Sequence, residues 1–164
     1  MKKTCDKRIA LFPGSFDPFT IGHESIVDRG LKLFDEIVVL VVKNSAKKSF
    51  MTAEERVEFI ESVYLNDLRV KVLASDGLTV DVAKEVGASC ILRGVRMIQD
   101  FEYEKNLAEV YRDMAGIDTV LLYTLPQHGH ISSSIVREMI SYGVDASAYL
   151  PIKGDKDMIP KKIK

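Results

Sequence analysis

The stretch Gly14-Ser15-Phe16-Asp17-Pro18-Phe19-Thr20-Ile21-Gly22-His23 sets a hydroxyl, two glycines and an imidazole directly after an apolar run, Ile9-Ala10-Leu11-Phe12. Gly14 lets the chain turn sharply and approach a ligand closely. Gly22 and His23 fall where a helix begins. Free N–H groups and the positive end of the dipole suit phosphate there. A histidine at that point can donate to a phosphoryl oxygen as negative charge builds in a transition state. A lone Gly-His would read as a cap. Placed between a strand and a helix, at this spacing, the motif points to phosphoryl chemistry.

Three further clusters match this chemistry. Lys47-Lys48 alone would be a solvated pair, but it follows the run 37–42, and Lys47, the preferred one, could reach a phosphate as a point charge. Arg93-Gly94-Val95-Arg96 closes another apolar run and precedes Asp100-Phe101-Glu102-Tyr103-Glu104. Arginines there are costly without anionic partners, and their forked N–H groups grip phosphate oxygens. The competing reading is structural pairing to Asp100 or Glu104. In Ile131-Ser132-Ser133-Ser134-Ile135-Val136-Arg137, one serine suffices to cap a helix. Three offer a second anion site, fit for a triphosphate tail.

Periodicity supplies the elements that must hold these clusters. Strands are expected at 9–12, 37–42, 70–73, 89–92 and 119–123. Helices are expected at 22–34, 52–65, 79–86, 101–114 and 132–142, with a last frayed helix over 151–164. Thr52-Ala53-Glu54-Glu55 is a capping box. The run 37–42 lacks polar alternation, as expected of a parallel strand covered on both faces. The alternation predicts an α/β chain: a five-stranded parallel sheet with helices on both faces. Ligands in such sheets bind beyond the carboxyl ends of the strands, so the loops 13–23, 43–51, 93–100 and 124–134 should meet.

A chain of 164 residues suits one domain over 1–164, with 1–7 as a flexible tail. The net charge of −1 gives no global field to recruit nucleic acid, so a polyanionic ligand must be held locally. The longest apolar run is too short to span a bilayer, and no secretory h-region opens the chain. Cys5 and Cys90 form no disulfide framework, which suits a cytoplasmic location.

These motifs, in this order from Ile9 to about Leu150, resemble bacterial phosphopantetheine adenylyltransferases of the nucleotidyltransferase superfamily. The segment from Arg93 to Glu104 is the most specific part of the match. The resemblance implies a Rossmann-like fold, usually a homohexamer, often feedback-inhibited by coenzyme A. It implies transfer of the adenylyl group of ATP to 4′-phosphopantetheine, with magnesium, giving dephospho-coenzyme A and pyrophosphate. It further implies that Ser15, Lys47, Thr79 and Arg93 bind the acceptor. Ser15, Phe16, His23, Gly94, Val95, Arg96, Glu104, His128, Gly129, His130, Ile131, Ser132, Ser133 and Ser134 would hold ATP. Catalysis would rest on His23, Lys47 and Arg96. Ser15 stands where the family often has threonine, and the hydroxyl survives. His128-Gly129-His130 replaces aromatic residues common in the family. That pair of histidines invites a metal reading, but the spacing points to no further ligands, so no protein-held metal is expected. The rival readings are a transferase with another phosphorylated acceptor and a non-catalytic nucleotide sensor.

Overall fold

The first strand, β1 (Ile9–Gly14), sits at the centre of a five-stranded sheet of order β3-β2-β1-β4-β5 in a computed structural model describing residues 7–44 and 48–160. Its neighbours are β2 (Glu36–Val42), β3 (Val70–Ser75), β4 (Cys90–Val95) and β5 (Asp118–Tyr123), and every pairing is parallel. Parallel neighbours need crossovers. These are supplied by α1 (Ile21–Gly30), α2 (Ala53–Val63), α3 (Thr79–Glu85) and α4 (Ile98–Ala115), with α5 (Ser133–Ser141) following β5.

Period-2 alternation splits the sheet into two faces. Ala10, Phe12, Ile37, Val39, Val41 and Leu92 join one core with Phe19, Ile26, Phe59, Ile60 and Val136 from the loops, α1, α2 and α5. Leu11, Val38, Leu40 and Ile91 join the other with Val80, Val82 and Ala83 of α3. Helices therefore cover both faces, as the sequence predicts. Gly30, at the end of α1, is required by packing: a Cβ there would stand 2.7 Å from Ile37 Cδ1 and 2.8 Å from Leu92 Cδ2.

β1 runs alongside β2 for its whole length, but pairs with β4 only at Ala10–Cys90 and Leu11–Ile91. Beyond that point the two strands part. The chain also reverses its order of strand addition there, which is where doubly wound sheets open a crevice. Gly14 and Arg93 flank the opening.

Three sequence expectations are corrected. No helix forms over the described part of 151–164. Pro151, Gly154 and Pro160 interrupt it, leaving a single 3-10 turn at Lys156–Met158. Gly154 instead lies against Phe59 and Val63, where a Cβ would come within 2.9 Å of the Phe59 ring. α1 ends at Gly30 rather than at 34, its last residues forming a turn that returns to β2. α4 begins at Ile98 rather than at 101, and its N-cap, Met97, makes no side-chain capping bond.

Candidate active site

His23 is fixed by the start of its own helix. Thr20, the N-cap of α1, is 1% exposed, and its backbone N–H donates to His23 Nδ1 at 3.0 Å. The Thr20 Oγ1 lies 3.0 Å from the same nitrogen. An accepting Nδ1 puts the proton of a neutral imidazole on Nε2. The rings of Phe12, Phe16 and Phe19 surround it, with centroids at 6.5, 5.1 and 5.3 Å. Burial first, then the charges of Arg96 and Arg93, holds its pKa down to about 3. At neutral pH, His23 is an uncharged donor and a weak base.

The turn before it is built around Phe16, which adopts a left-handed backbone (φ 49°) and is buried. Its ring fills the space a side chain at Gly14 would need, since a Cβ there would lie 2.6 Å from Phe16 Cζ. Ser15 is left exposed between them.

Arg93 crosses the gap between β1 and β4. Its Nη1 donates to the Pro13 carbonyl, while Nε and Nη2 donate to both oxygens of Glu104 at 2.7 and 2.5 Å. Burial disfavours the charged guanidinium, but the bonds to Glu104 outweigh it and raise the Arg93 pKa. Arg96 donates through its backbone N–H and Nε to Asp100 at 3.0 and 3.2 Å, and its Nη1 lies 3.4 Å from the Ile131 carbonyl. Both arginines are thus paired to the carboxylates that the structural reading named, and both still border the crevice.

The serine run caps α5 and ties it to the first loop. Ser132 Oγ accepts from the Ile135 N–H at 3.2 Å. Ser133 Oγ donates to the Pro18 carbonyl at 2.8 Å, and Arg137 donates to Ser134 Oγ at 3.1 Å and to the Asp17 carbonyl at 2.6 Å. The Ser132 hydroxyl caps, that of Ser133 joins loop to helix, and that of Ser134 braces Arg137 within α5. The first-turn N–H groups of Ser133 and Ser134 lack intrahelical acceptors, as at any helix start.

Two clefts result. One, of about 430 Å³, is lined by Ser15, Phe16, His23, Gly94, Arg96, Glu104, His128 and residues 131–134, among others. The second, of about 440 Å³, is lined on one side by Lys48, Ser49 and Arg56 and on the other by Thr79, Leu107 and Tyr111. Pro13, Gly14, Ser15, Arg93, Tyr103 and Arg137 border both, so the clefts share a wall. Cations outnumber carboxylates around each, although the whole chain carries a formal charge of −1. Burial raises the Tyr111 phenol pKa, and a hydrogen bond from Thr79 opposes that rise.

A family model described as cytidylyltransferase-like matches residues 11–139. A protein of Phocaeicola vulgatus named phosphopantetheine adenylyltransferase is 49% identical over 144 residues, covering 88% of this chain and 95% of that protein. The chain belongs to the phosphopantetheine adenylyltransferase family. Members from Porphyromonas gingivalis and Flavobacterium johnsoniae, also named phosphopantetheine adenylyltransferase, are 48% and 46% identical over 88% of this chain and 95% of their own. A lipopolysaccharide core biosynthesis protein from Thermoplasma volcanium shares the fold, with a TM-score of 0.55 and 22% identity over 73% of this chain and 97% of its own.

Some residues read from the sequence stand apart from these two clefts. Val95 is buried within β4, Gly129 ends a 3-10 turn, and His130 is exposed with its ring 6.0 Å from Tyr149; none of the three borders either cleft. Lys47 lies outside the described residues, and Lys48 reaches the second cleft. The sequence reading gave no role to Thr20, Asp17, Arg56, Arg137, Tyr103, Leu107 or Tyr111. The last three recur at helical spacing along α4, a stripe visible in the sequence. The bonds of Arg56 and Arg137 to the first loop span 41 and 120 residues, which no local pattern reveals.

Proposed function

We propose that this chain transfers the adenylyl group of ATP to 4′-phosphopantetheine, releasing pyrophosphate and forming dephospho-coenzyme A by direct in-line attack. The observation that carries this reading is the wall shared by two cation-rich clefts, which suits two phosphorylated molecules meeting end to end. ATP occupies the first cleft, with its triphosphate toward Arg96 and the N-terminus of α5. The acceptor occupies the second, its phosphate near Ser15, Arg93 and the lysines after β2, its arm along Thr79, Leu107 and Tyr111.

A phosphate monoester is already largely dianionic near neutral pH and needs no strong base. Catalysis then rests on alignment and on donors aimed at the charge that develops. His23 Nε2–H is such a donor. Glu104 holds Arg93 in place, and Asp100 does the same for Arg96. Among the described residues, no cluster of three or more His, Cys, Asp or Glu side chains could hold a metal ion. Asp100 and Glu104 are committed to arginines. Magnesium would enter with ATP as part of that substrate, where it would neutralise phosphate charge.

The whole chain acts as one catalytic domain in the cytoplasm; no described helix is long and apolar enough to cross a membrane. Self-association as a homohexamer, with feedback inhibition by coenzyme A, extends the same reading. Exposed Ile98, Phe101, Val110 and Met114 on α4 favour self-association. The test is a panel of phosphorylated acceptors with MgATP, read by pyrophosphate release and product mass. Dephospho-coenzyme A should dominate. Release only with another acceptor, or none with any, overturns the reading.

A further inference from the structure

Asp17 lies in the first loop, and the mechanism above leaves it unused. It is 8% exposed and borders the second cleft. Its carboxylate accepts from two successive backbone N–H groups, Phe50 at Oδ2 and Met51 at Oδ1, both at 2.8 Å. Those amides directly follow Lys48 and Ser49, which line the same cleft. Asp17 is itself held, since Arg137 of α5 donates to its carbonyl at 2.6 Å and Arg56 of α2 donates to the Ser15 carbonyl at 2.6 Å. The first loop is clamped from both sides, and its carboxylate clamps the lysine-bearing loop in turn.

We infer that Asp17 is a positioning residue for the acceptor: its carboxylate grips the backbone after Lys48 and Ser49 and so sets the cation-bearing wall of the second cleft. The inference rests on the reading of that cleft as the acceptor site. Two bonds from N–H groups to one buried carboxylate are charge-assisted and directional. Asparagine keeps the shape but turns an NH2 group toward one of the two N–H donors. The loop then loses one anchor and gains a donor–donor clash. The nucleotide cleft does not include Asp17 and should feel little of this.

The experiment compares the full chain with Asp17→Asn and Asp17→Glu. The KM for 4′-phosphopantetheine should rise about ten- to a hundredfold in Asp17→Asn, as expected for loss of a hydrogen bond to a charged group. The KM for ATP and kcat at saturation should stay within about twofold of the wild type. Glutamate, one methylene longer, should restore little. Calorimetric binding of 4′-phosphopantetheine should weaken in parallel, a readout that needs no turnover. In the free wild-type protein, amide exchange at Phe50 and Met51 should be slow, and this measurement requires no variant to fold. Rapid exchange at both amides overturns the inference. So does an unchanged acceptor KM, or an equal rise in both KM values. Absence of wild-type turnover refutes the functional reading instead, leaving amide exchange to judge the clamp.

Discussion

Replacing His23 with alanine removes a cleft donor that is neutral, oriented and surrounded by aromatic rings. The side chain makes two contributions, which separate by magnitude. As an acceptor, Nδ1 satisfies the Thr20 N–H at 3.0 Å; water can enter the vacated space, so its loss should lower stability by about 1 kcal/mol. As a donor to developing charge, Nε2–H should be worth about 3–4 kcal/mol, or a fall in kcat of about 10²–10³. Glutamine, which carries a side-chain N–H, should recover part of that loss. The pH dependence sharpens the test. With its pKa held near 3 in the free protein, His23 does not change charge between pH 5 and 9, so it should add no limb to kcat/KM. A limb near pH 6 in kcat/KM belongs to the acceptor phosphate and should persist in the variant. The assay is pyrophosphate release across that range at saturating ATP, with the acceptor varied from limiting to saturating. A wild-type kcat/KM limb at about pH 5.5–7.5 that vanishes in His23→Ala would show a titrating imidazole and refute the neutral-donor reasoning. A variant within about threefold of the wild type would refute the donor role itself.

Other consequences follow from particular contacts. Glu104→Ala strips Arg93 of its carboxylate in a half-buried site; stability should drop by about 3 kcal/mol in denaturant titration, and the acceptor KM should rise. Gly30→Ala drives a methyl group into Ile37 and Leu92 and should cost about 1–3 kcal/mol, with kcat of the folded fraction unchanged. Burial acts to raise the Glu36 pKa, but Lys7 and Lys71 at 2.6 and 3.0 Å outweigh it and leave the pKa lowered. A lowered carboxyl pKa stabilises the fold above the ordinary carboxylate range, and that stability is lost as pH falls through the folded value. Glu36→Gln should therefore be about 1 kcal/mol less stable at pH 7 and nearly equal to the wild type under strong acid, by thermal melts.

The sequence is most legible where local chemistry decides the structure. The unbroken apolar run of β2 announces a strand buried on both faces, and its residues 36–41 are all buried. Thr52 and Glu55 exchange the two bonds of their capping box at 3.1 and 2.7 Å. Gly87, Gly116 and Gly143 take positive φ where helices end. Legibility fails where distant contacts decide. The C-terminal stretch resembles a helix in composition, yet Gly154 is claimed by the Phe59 ring. The start of α4 carries no capping side chain, so nothing in its sequence marks it. In the site, the motif residues could be gathered at one sheet edge from strand order alone. Their division between two clefts with a common wall depends on β1 and β4 parting after Leu11 and Ile91, and pairing length is not written in either strand.

The most direct test of a single transfer across that wall is the stereochemistry at the α-phosphorus. Dephospho-coenzyme A made from ATP chirally labelled with sulfur at that position should emerge with inverted configuration, as one in-line displacement requires. Net retention would mean two displacements through a covalent enzyme intermediate, and would contradict the account.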